Sequence, residues 1–208
     1  MTLFAAPRHA LTLAALLSFA VFAPMANSIE EPKFELLMKV DDIEIRRYEP
    51  SIQAFTVMPG YSSGGFRRLA GYIFGGNEQD QSIAMTAPVQ ETMSGNDGEM
   101  AFTMPSEYGM DDLPNPENEN VELRNVPERT VAVIVFSGRA NDAKAEKQWQ
   151  ELSAKLSAEG INVTGQPLLN QYNPPWTLPF LRRNEVMVEI ETASLPTLAD
   201  RDTSINED

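Results

Sequence analysis

Apolar positions along the chain follow two rhythms, a period of two and a period near 3.6, and the switches between them mark out the elements. Phe34–Val40 and Ile43–Tyr48 read as short strands around an Asp41-Asp42 turn. Ile52–Met58, rich in β-branched and aromatic residues, is a third strand ending at Pro59-Gly60. The rhythm then changes. Phe66, Leu69, Ala70 and Ile73 recur at i, i+3, i+4 and i+7, which predicts an amphipathic helix with Ser62 or Ser63 placed to cap it and Gly75-Gly76 to stop it. Arg67 and Arg68 begin its other face, so the helix has an oily side and a cationic edge. Strand character resumes over Ile83–Met93, where Pro88 predicts a bulge or a sheet edge, and over Met100–Met104. Ser106 to Asn120, dense in Pro, Asn and acidic residues, is expected to bury almost nothing and to form a solvated loop.

The second half repeats the order. Val121–Val126 and Thr130–Ser137 predict strands, the latter so continuously apolar from Val131 to Phe136 that both of its faces should be covered. A second helix follows, with Asn141 as cap, Trp149, Leu152 and Leu156 on one stripe, Lys147-Glu151 and Glu151-Lys155 at i,i+4, and Gly160 as its stop. Asn162–Tyr172 and Val186–Ile190 close the domain around the loop Asn173–Asn184. From Ser62 to Asn141 is 79 residues, and from Ile83 to Asn162 is again 79. That constant offset predicts an internal duplication, two strand-helix-strand-strand units related by a pseudo-two-fold axis, and an α+β architecture with both helices outside one curved antiparallel sheet.

The first residues set the compartment expected for the chain. Arg8 and His9 precede an uncharged apolar run from Ala10 to Ala23, and small residues follow at Ala26 and Ser28, the three-part layout of a secretory signal peptide. The run falls short of the roughly 20 apolar residues that span a bilayer. Residues 1–28 are therefore expected to be a cleaved leader, residues 29–192 one folded domain, and residues 193–208 a polar, disordered tail. The expected location is periplasmic or secreted, with no stable membrane insertion after cleavage. Loss of the leader takes only Arg8 from the 16 basic residues and none of the 30 acidic ones. Such a surface repels phosphate backbones, which excludes nucleic acid as an expected partner. There is no cysteine, and the one histidine is in the leader. That removes disulfides, thiol chemistry, zinc sites of the Cys/His kind and the usual base of Ser-His-Asp catalysis. A binding protein rather than an enzyme is expected, and the sequence does not indicate protein partners.

Five strings go beyond pattern: Ile45-Arg46-Arg47-Tyr48-Glu49-Pro50, Tyr72-Ile73-Phe74-Gly75-Gly76-Asn77, Met85-Thr86-Ala87-Pro88-Val89, Pro174-Pro175-Trp176 and Arg182-Arg183-Asn184-Glu185-Val186. In that order and at those separations they resemble the SOUL haem-binding protein family from Phe34 to Glu191. The resemblance implies a duplicated, distorted antiparallel β-barrel flanked by two helices, related to the small-molecule-binding domains of gyrase-inhibitor-like and drug-sensing regulators. It also implies a small-molecule ligand, haem or another porphyrin, in an apolar cleft beside the first helix and near the loop before the final strand.

A porphyrin is a large apolar plate with two carboxylates on one edge, so its site needs an apolar slot with basic residues at the rim. By position the slot would be formed by Phe66, Leu69, Ala70, Ile73 and Phe74 of the first helix with Pro175, Trp176 and Phe180 of the late loop, and Arg67 and Arg68 would pair with the propionates. Core packing competes for Leu69 and Ile73, because an amphipathic stripe is the default of a surface helix. Phe74 at a helix end and Trp176 in a loop are better placed to meet a ligand. Arg182 and Arg183 stand beside Glu185, which favours an internal ion pair. Gly71 stands where eukaryotic members of the family carry a lysine. Tyr72, Tyr172 and the methionines are the side chains left to approach an iron, and weak or absent coordination is expected. Another flat lipophilic or cationic ligand is the alternative reading, in keeping with the acidic surface. An enzyme acting on tetrapyrroles would instead show ionisable groups of shifted pKa clustered in the pocket.

Overall fold

The computed structural model describes residues 29–195, apart from 60–63 and 94–96. The expected leader and most of the expected tail lie outside the described residues, as do Ser62 and Ser63. Nine strands and two helices follow one another as β1 (Phe34–Val40), β2 (Ile43–Tyr48), β3 (Ser51–Pro59), α1 (Gly65–Ile73), β4 (Val89–Thr92), β5 (Asp97–Thr103), β6 (Glu122–Val126), β7 (Arg129–Phe136), α2 (Asp142–Ala158), β8 (Leu168–Gln171) and β9 (Asn184–Glu189). All nine strands join one antiparallel sheet in the order β1-β2-β7-β9-β8-β4-β5-β3-β6, curled into a half-barrel whose edges are β1 and β6.

The registers carry the duplication residue by residue. A shift of 79 takes the pair Ile43–Ile134 of β2 and β7 onto Glu122–Phe55 of β6 and β3. The same shift takes Val89–Gln171 at the middle of the sheet onto Leu168–Thr92 of the same two strands, so the pseudo-two-fold axis passes between β4 and β8. Each half lends its first strand to the other: β2 pairs with β7, and β6 with β3. This exchange makes the two units one cooperative body rather than two stacked domains.

Alternation of side chains sorts the sheet into two faces. On the outer face Ile43, Ile45, Ala132, Ile134, Val186 and Val188 pack with Leu152 and Leu156 of α2. Beside them Ala54 and Phe102 pack with Leu69, Tyr72 and Ile73 of α1. Both helices close with the same device. The Gly76 and Gly75 N–H groups donate to the Gly71 and Tyr72 carbonyls, and those of Ile161 and Gly160 to Leu156 and Ser157, with Gly75 and Gly160 at φ of 107° and 68°. This is the Schellman arrangement, which uses carbonyls that the helix end would otherwise leave unpaired. Asn141 caps α2 by accepting from the Lys144 N–H, as the sequence predicts.

The residue preceding α1 is Gly64, and the expected caps Ser62 and Ser63 lie outside the described residues. Two expectations are corrected. Only Val89–Thr92 of the expected strand Ile83–Met93 is sheet, because Ile83 is tied instead to the end of α1, its N–H donating to the Ile73 carbonyl. The stretch from Ser106 to Asn120 is not merely solvated. Leu113 is buried against the α1 cluster, the Tyr72 hydroxyl donates to the Pro114 carbonyl at 3.0 Å, and the Glu117 N–H donates to the Gly76 carbonyl. The loop is a lid sealing the C-terminal end of α1.

Two glycine substitutions should act in opposite directions. A Cβ at Gly71 meets nothing within 4 Å, so Gly71→Ala should stabilise by about 1 kcal/mol through helix propensity. A Cβ at Gly160 also meets open space but sits at positive φ, so Gly160→Ala should cost about 1–2 kcal/mol. Urea unfolding of the two variants checks the pair of signs.

Candidate functional site

The concave face of the half-barrel is mixed, with Val131, Val133 and Met187 packed in a small apolar cluster beside polar groups. A ladder crosses its middle: Gln53 Nε2 donates to Gln90 Oε1 at 3.1 Å, and Gln90 Nε2 to Asn170 Oδ1 at 3.0 Å. At one end lies a cluster of buried charge. Glu185 has 0% exposure, and its carboxylate accepts from Arg46 Nη1 (3.1 Å), from Arg183 Nη2 (2.9 Å) and from the Tyr172 hydroxyl (2.6 Å). Arg46 also reaches Glu44 and the Tyr48 hydroxyl, and Arg183 stacks over the Tyr172 ring at 3.7 Å. Burial works against the Arg46 charge, but Glu185 and Glu44 outweigh it and hold its pKa above the ordinary arginine value. Burial and the neighbouring Glu185 carboxylate push the phenols of Tyr48 and Tyr172 upward. Burial alone pushes Tyr72 up to about 12. Shifted ionisable groups are one mark of catalysis, but Arg46, Tyr48 and Tyr172 are bonded to one another or to Glu185, as in a structural ion-pair network. Among the described residues no buried side-chain polar atom lacks a partner, and no cluster of His, Cys, Asp or Glu could hold a metal ion.

The ten residues expected at the ligand fall in two groups, one on α1 and its end and one on the loop before β9. Leu69 and Ile73 are 0% and 1% exposed and belong to the core, where they offer a ligand no surface; the apolar stripe of α1 is spent on the sheet. Ala70 is half-buried. Arg68 is engaged, its Nε donating to Thr56 Oγ1 and its Nη2 to the Val57 carbonyl, so it ties α1 to β3 instead of standing free for a propionate. Arg67 and Phe66 are exposed, with Phe66 edge-on to Phe102. Phe74, at the end of α1, is 67% exposed.

The second group is the segment between β8 and β9, where Pro175 is exposed, Trp176 is 83% and Phe180 71% exposed. Leu178 and Leu181 stand exposed beside them. The rule that singles out Trp176, a large apolar residue in a loop, would have found these two as well. Arg182 holds the loop by donating to the Thr177 and Pro175 carbonyls, and the Gly138 N–H anchors it to the scaffold through the Pro179 carbonyl. Half-open clefts of about 530 Å³ and 230 Å³ are lined by other residues. The candidate site is thus a pair of open apolar surfaces, not an internal pocket.

A family model described as SOUL heme-binding protein matches residues 29–189. The chain belongs to the SOUL family. Heme-binding protein 2 of Mus musculus is 30% identical over 179 residues, covering 77% of this chain and 85% of that protein. Heme-binding protein 2 of Homo sapiens is 33% identical over 171 residues, covering 71% and 82%. Among solved structures, the C-terminal domain of EcmrR aligns at 12% identity with a TM-score of 0.56, covering 72% of this chain and 96% of that one. A hydrolase from Listeria innocua aligns at 10% identity with a TM-score of 0.55, covering 74% and 94%. At such identities these two likenesses show the shared fold alone.

Most of the strings by which this SOUL protein resembles its family are scaffold. Arg46 and Tyr48 of the first string meet Glu185 of the last in the charge cluster. Asn77, fully buried, ends the second string by donating to the Tyr72 and Gln81 carbonyls and accepting from the Gln79 and Gln81 N–H groups. Thr86 of the third donates to the Thr103 carbonyl. Arg183 forms the expected ion pair with Glu185 and a second one with Glu31.

The phenols of Tyr48, Tyr72 and Tyr172 carry a pH signature. Their pKa values are raised in the folded state, so their contribution is intact below the unfolded tyrosine pKa of about 10 and is lost as pH rises above it. Absorbance titration should show three of the five tyrosines ionising only together with loss of near-ultraviolet dichroism. Reversible ionisation of all five in the folded state would contradict the described environments.

Proposed function

We propose that this SOUL protein is an exported tetrapyrrole carrier or buffer, not an enzyme, and that it holds haem or a related porphyrin on its outer apolar surfaces. The observation that supports the reading is the solvent-facing set Phe74, Trp176, Leu178, Phe180 and Leu181 in a chain whose interior is otherwise well satisfied. Large apolar groups grouped at a helix end and in one loop mark a place where a partner is met. Phe66, Phe74, Pro175, Trp176 and Phe180 would face the macrocycle, and Arg67 would pair with a carboxylate. The related proteins named for heme binding give the ligand class.

The residues fit the macrocycle and its carboxylates better than the iron. Tyr72 and Tyr172 donate their hydroxyl protons to Pro114 and Glu185, and both phenols are held protonated, so neither is offered as a phenolate. Past the expected leader there is neither histidine nor cysteine. Bound haem would supply a redox-active iron, while this chain would shield its faces and neutralise an edge charge. The acidic surface supports the reading of a carrier that does not bind nucleic acid.

Haem titration of the variants tests the surface. Trp176→Ala or Phe74→Ala should weaken binding roughly tenfold, about 1.4 kcal/mol, while Tyr72→Phe should leave it unchanged. Unaltered affinity in both alanine variants, or binding of a flat lipophilic cation in place of any tetrapyrrole, would overturn the reading. For export, the chain recovered from its own cell should begin near Asn27 or Ile29, and an intact Met1 would contradict that half.

A further inference from the structure

The concave face holds a feature that the haem reading does not use. A cavity of about 230 Å³ opens where β4, β5, β6, β7 and the segment around Gln166 converge, and two arginines and two glutamates, Arg124, Arg129, Glu99 and Glu189, stand in its walls. One pair is closed. Arg124 Nη1 donates to Glu99 Oε2 at 2.7 Å, and its other nitrogens donate to Gln53 Oε1. The second pair is open. Among the described residues neither the Arg129 guanidinium nor the Glu189 carboxylate makes a side-chain hydrogen bond or an ion pair, with each other or with any other group.

Leaving this pair open has a cost. Arg129 is withdrawn from water far enough that burial holds its pKa below the ordinary arginine value, with Glu189 pulling the other way. A guanidinium in that position is stabilised by an anion that reaches its planar fork of donors, and a carboxylate fits that fork with two parallel bonds. Glu189 offers the opposite charge in the same cavity. Gln90 and Gln166 add polar lining. The space is small. At about 30 Å³ per water it corresponds to roughly eight waters, below the range of about 300–1,000 Å³ typical of drug-sized ligands.

A separated cation and anion facing one small polar cavity are complementary to a molecule carrying the same charges in reverse. We propose that this cavity binds a small zwitterion of amino-acid size, its carboxylate on Arg129 and its ammonium toward Glu189. Glu189 and Glu99 disfavour a dicarboxylate, and Arg129 disfavours a simple cation. None of the α1 or loop residues assigned to the porphyrin lines the cavity, so the proposal stands apart from that assignment.

Calorimetric titration of the full chain with glycine, acetate, methylammonium and succinate, at matched ionic strength, tests it. Glycine should bind more tightly than the other three. Arg129→Gln should weaken both glycine and acetate at least tenfold, about 1.4 kcal/mol. Glu189→Gln should bring glycine down to the level of acetate, and haem affinity should be unchanged in both variants. Acetate binding as tightly as glycine in the wild type would reduce the site to a plain anion site and overturn the proposal. So would the lack of saturable binding by glycine, or unchanged glycine binding in Arg129→Gln. Neither side chain holds the fold together, so both variants should melt with the wild type; if Arg129→Gln fails to fold, the Glu189→Gln comparison decides alone.

Discussion

A carboxylate wholly removed from solvent sits inside the curl of this sheet, and the arrangement around it depends on how its charge is met. Desolvating an ion costs several kcal/mol even after relaxation, and the cost is offset only when geometry and extra hydrogen bonds are good. Glu185 has both: Arg46 from β2, Arg183 from the residue just before β9 and the Tyr172 hydroxyl converge on its two oxygens. Arg46 and Glu185 are 139 residues apart in sequence, so the pair forms only when the first strands of the domain and the last one are in place together. Removing one partner would leave the other charged and buried, a loss of about 3–5 kcal/mol.

The same constraint shapes the proposed placement of the ligand. Arg46 with Glu185, and Gln53 with Gln90 and Asn170, are bonded side chain to side chain on the concave face, and wedging an apolar plate between them would cost those hydrogen bonds. The apolar surface left over is on the outside, at the end of α1 and on the loop that Arg182 staples. Inside the curl the charge cluster and the ladder lie beside the apolar patch of Val131, Val133 and Met187, while Phe74, Trp176 and Phe180 stand exposed at the surface. The duplication gives the same result by another route. With β2 and β6 exchanged between halves, each helix is pinned on its own pair of strands, and its inner stripe is consumed by the sheet.

What could be read from the sequence was whatever depends on neighbours along the chain. Period-two runs gave the boundaries of β1 and β2, Asn141 and Gly160 gave the ends of α2, and the 79-residue offset anticipated the pseudo-symmetric registers. Effects of distant contacts were not legible. The loop from Ser106 to Asn120 looks too polar to bury anything, yet Leu113, the Pro114 carbonyl and the Glu117 N–H all help to seat it on α1 and the turn after it. Within α1, periodicity names the stripe but not the division between Leu69 and Ile73, which the sheet covers, and Phe66 and Phe74, which it does not. Arg46 could not be matched to Glu185, because nothing local links β2 to β9. The open pair of Arg129 and Glu189 was invisible for the same reason.

If the ligand is held by its faces and an edge carboxylate, removing its metal should matter little. Parallel titrations of the protein with haem and with the iron-free porphyrin measure this directly. The two affinities should agree within a few-fold, and haem bound about a hundredfold more tightly, a difference of about 2.7 kcal/mol, would show that a side chain ligates the iron and would contradict the account.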